Sequence, residues 1–462
     1  MTTPYWVQDT IFYHIFPDRF ANGDTTNDPP NLQKWGTPPT IWGTQGGDLR
    51  GILQHLDYLL DLGVNALYLN PIFLASSNHH YNISDYFLID PHLGTLADFH
   101  ALVEALHKNN MRIILDGVFN HCGRGFFPFT DVLENEDRSE YKDWFYINQF
   151  PLDAYGSGEA VNYAGWWGHK SLPKLNISSP RVREYILNVA RYWINQGADG
   201  WRLDVPNEID DHHFWEEFRV AVKSANRDAY LTGEIWDVNP RWANDTHFDG
   251  LMNYPVKDAL VAWLQGHENA FQFGDRIDAL FRAYARENMF AMYVPLDSHD
   301  TERFKTLVGR DTRKLKLAFM FQMAFPGAPA IYYGDEIGME GEKDPDSRRA
   351  FPWRESNWDQ GLHQWVKALI SLRKRIPSLR RGEFVRLLTE EKIYSFGRTL
   401  GEQNVMVALN ASGKERRVEV PCLALNWSEG RVVQSVMDGQ KFSVTGGKIS
   451  IALPAWGGAW IV

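Results

Sequence analysis

Four segments of the sequence place acidic side chains, with an arginine or histidines beside them, where a short apolar run ends. The segments read DGVFNH, GWRLDVPNE, GEIW and LDSHD. Their polar side chains are Asp116, Asn120, His121, Arg202, Asp204, Glu208, Glu234, His299 and Asp300. Converging carboxylates suit cleavage of glycosidic bonds, in which one carboxylate attacks the anomeric carbon and a protonated one donates to the leaving oxygen. Each acid alone could instead cap a helix or pair with an arginine, but their placement on successive runs favours one shared site.

Eight short β-branched and aromatic runs, alternating with helix-length amphipathic segments, are the elements that must position these side chains. The runs start at Ile11, Ala66, Arg112, Gly200, Tyr230, Gly250, Met292 and Pro329. Alternation of this kind predicts βαβ units and a parallel sheet. Eight units predict an α/β fold, a (β/α)8 TIM barrel with insertions, whose catalytic groups come from the C-terminal ends of the strands.

The barrel pattern is interrupted once and then ends, which predicts three domains. Residues 1–120 and 180–379 are expected to form the barrel. Residues 121–179 form an inserted loop domain after the third strand, rich in Gly, Pro, Trp and Tyr, and such a long loop is placed to build a wall of the active site. Residues 380–462 show short alternating strands with turn signals, which predict a C-terminal antiparallel β-domain, a β-sandwich.

The composition narrows the class of ligand. Aromatic residues make up 14% of the chain, including 18 Trp, and their flat rings suit either dense packing or the C–H faces of sugars. The net charge of −11 argues against binding to nucleic acid or to an anionic membrane, since both need clustered Lys and Arg. A neutral substrate is therefore expected.

The N-terminus and the cysteines are typical of a cytoplasmic protein. The N-terminus has neither the basic nor the apolar region of a signal peptide, and no stretch approaches the ~18 apolar residues of a membrane span. A signal peptide that has already been removed stays an alternative. Cys122 and Cys422 lie far apart without metal-ligand spacing, so buried free thiols are expected.

Further motifs give the sequence a resemblance to a known family. They read YHIFPDRFANGD, NHHYNISDYFLIDP, LPKLN, FPGAPAIYYGDEIG and DPDSRRAFPW, and with the four acidic segments they span nearly the whole chain. The sequence resembles the α-amylase family, glycoside hydrolase family 13, and LPKLN with VPNE is similar to its neopullulanase, cyclomaltodextrinase and maltogenic amylase branch. The resemblance implies a retaining hydrolase of α-1,4-glucosidic bonds, with α-1,6 bonds as a further candidate, acting on maltooligosaccharides, starch, pullulan or cyclodextrins.

The same resemblance implies roles for individual residues. Asp204 is expected to be the nucleophile that forms the glycosyl-enzyme, and Arg202, two residues earlier on the same strand face, to keep it ionised. Glu234 is expected to be the general acid and then the base, and Asp300 the third carboxylate, which holds sugar hydroxyls. Implied substrate contacts are Tyr81, His121, Arg202 and His299 at the same sugar, Asp344 and Arg348 on the donor side, and Glu208 and Trp236 on the acceptor side. A core position for Trp236 and a surface ion pair for Arg348 remain alternatives.

A segment rich in oxygen ligands, NGDTTND followed by GGD, predicts a structural calcium site. The candidate ligands are Asn22, Asp24, Asn27, Asp28, Gly46 and Asp48. An Asx-rich turn would give the same composition, and similarity to the calcium loop of the branch favours the metal. No organic cofactor is expected, because carboxylates supply the chemistry.

Two substitutions and an expected missing domain distinguish the sequence from that branch. Pro206 stands where the family has a small residue, and Asn82 where an Asp follows the stacking Tyr, so subsite shape is expected to differ. Relatives in the branch carry an N-terminal β-domain that builds a dimer and narrows the active site, whereas the first barrel run here starts at Ile11. A monomer or weak oligomer with an open cleft is therefore expected. An α-glucanotransferase with the same intermediate, and a non-catalytic amylase-like binding subunit, stay as alternatives.

Overall fold

Short strands and longer helices make up the fold, which the computed structural model describes for residues 3–462. The strands in chain order are β1 (Phe12–Ile15), β2 (Ala66–Leu69), β3 (Phe73–Ala75), β4 (Ile83–Ile89), β5 (Arg112–Gly117), β6 (Gly200–Leu203), β7 (Tyr230–Gly233), β8 (Gly250–Leu251), β9 (Tyr293–Pro295), β10 (Ala328–Tyr332), β11 (Glu383–Glu390), β12 (Ile393–Thr399), β13 (Val405–Asn410), β14 (Arg416–Pro421), β15 (Val432–Gln434), β16 (Lys441–Ser443), β17 (Lys448–Leu453) and β18 (Gly457–Ile461). The α-helices are α1 (Pro17–Phe20), α2 (Leu49–Gln54), α3 (Leu56–Leu62), α4 (Leu96–Lys108), α5 (Phe127–Asn135), α6 (Pro180–Asn195), α7 (His212–Ala225), α8 (Tyr254–Gln265), α9 (Ala270–Ala283), α10 (Arg286–Met289), α11 (Phe304–Leu307), α12 (Thr312–Ala324), α13 (Gln360–Arg375) and α14 (Pro377–Arg381).

Eight parallel strands close into a barrel. Their hydrogen-bonded order is β8, β7, β6, β5, β2, β1, β10 and β9, and a parallel bridge between Met252 and Tyr293 joins the two end strands. Apart from Arg112, the residues of these strands are buried, as is usual when helices cover a parallel sheet. The prediction of eight strands in a (β/α)8 TIM barrel is confirmed.

The insertion after β5 folds around α5 and a few isolated bridges. An antiparallel bridge joins His121 to Lys174, which ties both ends of the insertion to the end of β5. The rings of Phe145 and Tyr163 pack on Phe129 with centroids 5.0 and 5.2 Å away. These rings belong to the same apolar cluster as the barrel core, so the insertion is packed onto the rim of the barrel.

The C-terminal strands form a β-sandwich. One sheet has the order β11, β12, β13, β18, while β14 pairs with β17 and β15 with β16. Met406, Val420 and Trp427 belong to their shared apolar core. The buried Arg398 of β12 donates to the main-chain carbonyl of Ala324 at the end of α12, which fixes the sandwich to the barrel. The predicted antiparallel C-terminal domain is confirmed.

Parallel alignment decides where the polar side chains meet. The strands β5, β6, β7 and β9 run in the same direction, so Asp116, Asp204, Glu234 and Asp300 all lie at the C-terminal rim of the barrel. This is the face on which barrel enzymes build their active sites.

Two sequence-based expectations concern the chain as a whole. In the described part, residues 3–462, no helix is long and apolar enough to cross a membrane. Cys122 and Cys422 are buried free thiols, as predicted.

Candidate active site

One guanidinium contacts three carboxylates at the rim of the barrel. Nη1 of Arg202 lies 2.8 Å from Oδ1 of Asp116 and 3.0 Å from Oδ1 of Asp204. Its Nη2 lies 2.9 Å from Oε1 of Glu234. All four side chains are buried. Asp116 of β5 pairs directly with Arg202 of β6, and residues two apart on one strand point to the same side, so the strand register itself assembles this group.

The chain turns sharply after Asp204. Val205 has φ 34° and ψ 51°, a left-handed conformation that costs a non-glycine residue on the order of 1–3 kcal/mol. The turn directs the Val205 amide to Oε2 of Glu234 at 3.0 Å, and a short 3-10 turn starting at Pro206 then carries Glu208. Glu234 is therefore held through both carboxylate oxygens, between β6 and β7.

Burial and the repulsion between neighbouring carboxylates raise the pKa of two of the site's acids, Asp204 and Asp300. Burial raises the pKa of Asp204 well above its usual value, although the attraction of Arg202 opposes the rise. Burial, followed by the charge of Glu234, raises the pKa of Asp300 to about 7. The charges of Glu234 and Asp116 add to both rises, because like charges in one buried site disfavour a further negative charge.

Asp300 belongs to a second network, formed by five of the predicted residues. Nε2 of His299 lies 3.0 Å from Oδ2 of Asp300 and 2.7 Å from the hydroxyl of Tyr81. Arg348 reaches Oδ1 of Asp300 at 3.3 Å and Oδ1 of Asp344 at 3.1 Å. Burial, and then the charge of Arg348, lower the pKa of His299 well below its usual value, so this ring is neutral. The Arg348 side chain is 11% exposed, which excludes an isolated surface ion pair.

Tyr81 connects the two networks through Asp116, one of the strand-end acids, for which the family resemblance implied no individual role. The Tyr81 hydroxyl donates to Oδ2 of Asp116 at 2.7 Å, and the Tyr68 hydroxyl donates to the same oxygen at 2.6 Å. Asn70, at the end of β2, donates to the Tyr81 hydroxyl at 2.9 Å. Because the single Tyr81 proton goes to Asp116, His299 is the donor towards Tyr81. Strand-end position predicted Asp116 as part of the shared site, and the same signal could have identified Asn70.

His121 is packed against the insertion. Its ring stacks on Trp166 with centroids 5.0 Å apart and 15° between the planes. Burial lowers the pKa of His121 to about 3, so the ring is neutral. Nε1 of Trp166 is buried and has no hydrogen-bond partner among residues 3–462, and the His121 ring bonds to the backbone of Tyr81.

Glu208 lies in the turn that follows β6, and Trp236 lies two residues after Glu234 in the segment that follows β7. Nε1 of Trp167 donates to Oε1 of Glu208 at 3.3 Å. Trp236 stacks on Tyr254 at 3.9 Å with 2° between the planes and remains 43% exposed, so the alternative of a core position is wrong. A cavity of about 670 Å³ opens beside Glu208, between the insertion and the turn after β6.

The six candidate calcium ligands meet in one loop, but two of their carboxylates are already bonded. Asp48 caps α2 by accepting from the Gly51 amide at 2.6 Å, and it also accepts from the Asp24 amide at 2.8 Å. The Asp24 carboxylate pairs with Arg50 at 2.6 Å. These two side chains therefore stabilise the shape of the loop.

The other four candidates are arranged differently. Oδ1 of Asn22 and Oδ1 of Asn27 are buried and have no partner in the described chain. Oδ1 of Asp28 lies 2.7 Å from Nδ2 of Asn22. Gly46 has φ +81°, and a Cβ there would come within 2.6 Å of that Asp28 oxygen, so only glycine fits. No group of three or more His, Cys, Asp or Glu side chains placed to hold a metal occurs in residues 3–462.

Two family profiles match consecutive parts of the chain. The profile described as "Alpha amylase, catalytic domain" matches residues 14–381. The profile described as "Maltogenic Amylase, C-terminal domain" matches residues 384–460. Together they span the barrel, its insertion and the C-terminal β-sandwich.

Individual proteins are similar over most of their length. A cyclomaltodextrinase from Geobacillus thermopakistaniensis is 43% identical, over 98% of this chain and 77% of its own. An intracellular maltogenic amylase from Bacillus subtilis is 42% identical, over 88% of this chain and 69% of its own. The structure of a cyclic α-maltosyl-(1→6)-maltose hydrolase from Arthrobacter globiformis, in complex with cyclic α-maltosyl-(1→6)-maltose, superimposes with a TM-score of 0.92 and 37% identity, covering 100% of both chains.

Proposed function

Because the chain belongs to the α-amylase family of glycoside hydrolases, we propose that Asp204 and Glu234 carry out retaining hydrolysis of α-1,4-glucosidic bonds in it. The observation that carries this proposal is the contact of Arg202 with Asp116, Asp204 and Glu234. Retention needs one ionised carboxylate as nucleophile and one protonated carboxyl as acid. A buried group with three carboxylates and one arginine supplies both states.

In the first step Asp204 attacks the anomeric carbon while Glu234 donates its proton to the glycosidic oxygen. The bond from that oxygen to the anomeric carbon breaks, and its electron pair leaves with the released sugar as a hydroxyl. Arg202 bonds to Oδ1 of Asp204, which opposes the effect of burial by favouring the ionised carboxylate and leaves Oδ2 as the attacking atom. The product of this step is a glycosyl ester on Asp204.

In the second step water replaces the released sugar. Glu234, now ionised, accepts a proton from water as the water oxygen attacks the anomeric carbon. The ester bond breaks, and its electron pair returns to Asp204. Arg202 and the Val205 amide both contact Glu234, so they stabilise its ionised form when it must act as a base.

The second network binds the donor sugars. Asp300, the neutral His299 and His121 bond to the ring hydroxyls of the sugar at the cleavage point. Tyr81 stacks under that sugar, and its bond to Asp116 holds the ring still. Asp344 and Arg348 bond to the next sugar. Preorganised donors and acceptors of this kind lower the barrier, since they need no rearrangement during reaction.

We further propose that α-1,6 bonds are cleaved as well. A hydrolase of cyclic α-maltosyl-(1→6)-maltose is 37% identical to this chain over its full length, and a cyclomaltodextrinase is 43% identical to it. The test is product analysis on maltoheptaose, β-cyclodextrin, pullulan and cyclic α-maltosyl-(1→6)-maltose, with Asp204→Asn as the inactive control. Hydrolysis confined to α-1,4 bonds would contradict the wider specificity, and equal turnover by Asp204→Asn would contradict the mechanism.

We also propose that the loop of residues 22–48 holds a structural calcium ion. Asn22, Asn27 and Asp28 supply side-chain oxygens and Gly46 its carbonyl, because these oxygens suit Ca²⁺ and two of them are buried without a partner in the described chain. The ion neutralises charge in the first barrel loop and takes no part in the reaction. Direct metal analysis of the purified protein, with Asn27→Leu as the variant that loses the ion, tests this.

A cytoplasmic location and a monomeric or weakly associated state complete the proposal. A relative at 42% identity is described as intracellular. Cell fractionation that finds the protein outside the cell would contradict the cytoplasmic location. Sedimentation velocity that finds a stable dimer would contradict the monomeric state.

A further inference from the structure

We propose that the exposed face of Trp167 is a stacking platform for a sugar acceptor, which competes with water for the glycosyl-enzyme. The acceptor is a neutral glucoside or short glucan with a free hydroxyl group. This inference rests on the proposed retaining function and adds a residue of the insertion to the acceptor side of that site.

A continuous stack of three rings leads from the barrel rim to this face. The His121 ring, at the end of β5, packs on Trp166, and Trp166 packs on Trp167 with centroids 4.6 Å apart and 19° between the planes. The inner face of Trp167 is thus covered by an indole that is itself fixed against the barrel. Its outer part remains in solvent, and the side chain is 71% exposed.

The backbone holds Trp167 in this exposed position. Its φ of 48° and ψ of 32° are left-handed, which is uncommon and costly for a large residue. Hydrogen bonds from the Gly168 amide to Gly165 at 3.0 Å and from the His169 amide to Trp166 at 2.9 Å close the turn. An unfavourable backbone conformation that holds a large aromatic ring in solvent suggests a function for the ring, because neither the conformation nor the exposure is favourable by itself.

Charge and polarity at the edge of the ring suit a sugar. Nε1 of Trp167 donates to Oε1 of Glu208 at 3.3 Å, and Nζ of Lys174 lies 3.9 Å from Oε2 of Glu208. A flat apolar face beside an oriented carboxylate is the combination that recognises a sugar ring, because the C–H face stacks while the hydroxyls donate to the carboxylate. An indole already fixed in place loses little conformational entropy when a ligand covers it.

The chemical consequence is a choice of nucleophile in the second step. An acceptor stacked on Trp167 presents its hydroxyl oxygen to the anomeric carbon. Glu234 takes the hydroxyl proton, the new glycosidic bond forms, and the ester bond breaks with its electron pair returning to Asp204. The products are a transferred glucan and the free enzyme, with no water consumed in this step.

The test uses α-maltosyl fluoride as donor and methyl α-glucoside as acceptor, because the fluoride leaving group needs no acceptor site. Fluoride release measures formation of the glycosyl-enzyme, and chromatography of the transfer product measures its capture by sugar. The ratio of transfer to fluoride release is expected to fall about tenfold in Trp167→Ala and less than threefold in Trp167→Phe, which keeps a ring. Tyr155→Ala, which removes an exposed ring elsewhere in the insertion, is the matched control and keeps the wild-type ratio.

The possible outcomes distinguish a failure of the acceptor platform from a failure of the proposed retaining hydrolysis. A Trp167→Ala ratio within twofold of wild type, or a wild-type enzyme that releases fluoride without making any transfer product, overturns the acceptor platform alone. A wild-type enzyme whose fluoride release does not depend on Asp204 overturns the proposed function instead. An equal fall of the ratio in Tyr155→Ala also counts against the platform, since the effect would then not belong to Trp167.

Discussion

Removing the charge of Asp116 is expected to disable the site although Asp116 does not touch the reacting atoms in the proposed mechanism. This carboxylate accepts hydrogen bonds from Arg202, Tyr68 and Tyr81 at 2.6 to 2.8 Å. Asp116→Asn keeps the shape, but it removes the negative charge and replaces one acceptor oxygen by an NH2 group that cannot accept, so all three bonds are weakened or lost. At roughly 1 kcal/mol for each weakened bond, the transition state loses roughly 3 kcal/mol, a fall of about 100-fold in kcat/KM.

The pH dependence gives this prediction a second readout. The charge of Asp116 contributes to the raised pKa of both Asp204 and Asp300. Without it both pKa values fall, so the nucleophile Asp204 ionises at lower pH. The acidic limb of the kcat/KM profile, which reports this ionisation, should therefore move to lower pH in Asp116→Asn, with hydrolysis of an aryl α-maltoside as the assay.

Asp199→Asn is the matched control for loss of a buried carboxylate. Asp199 precedes β6 at the other end of the strand and pairs with Arg112 at 2.7 Å and His107 at 2.8 Å. Its loss should lower Tm while kcat/KM stays within about threefold below that temperature. An Asp116→Asn enzyme that keeps more than a third of wild-type kcat/KM, with an unshifted profile, would refute the reasoning.

Three further predictions concern stability and binding. Burial raises the pKa of Glu336 to about 7, so its stabilising contribution is present below pH 4.5 and is lost as pH rises through 7. Chemical unfolding should show that the free energy of unfolding decreases between pH 5 and pH 8 by up to about 3 kcal/mol less in Glu336→Gln than in wild type. Equal decreases in the two proteins would contradict this. Calcium chelation should lower Tm but leave activity at 25 °C within twofold, which Asn27→Leu should reproduce without chelator. Tyr81→Phe keeps the ring but loses the bonds to Asp116 and His299, so kcat/KM should fall about tenfold, and an unchanged value would show that the hydroxyl positions nothing.

The sequence was informative where one physical pattern dominates. Buried parallel strands read as apolar runs, so the barrel followed from their alternation with helices, and strand-end position then brought Asp204, Glu234 and Asp300 to one rim. Partner choice was harder to predict. Nothing local distinguishes Asp116, whose contacts with Arg202 and two tyrosines depend on the register of three strands.

The calcium loop and the insertion show the same limit. Composition predicted Asp24 and Asp48 as oxygen ligands, but it could not show that Asp24 also pairs with Arg50 and that Asp48 also caps α2. Trp167 stood only as one aromatic among many in the insertion. Trp167 stacks on Trp166 and bonds to Glu208 because the insertion packs against the rim of the barrel. The periodicity of the sequence does not predict this packing.

The central claim is that Asp204 forms a covalent bond to the sugar. Glu234→Gln can still react with α-maltosyl fluoride, because fluoride leaves without a proton, but it lacks the base that activates water. Mass spectrometry of this variant should find one maltosyl group per chain, and peptide mapping should assign it to Asp204. Rapid fluoride release with no adduct, or an adduct on another residue, would contradict the account.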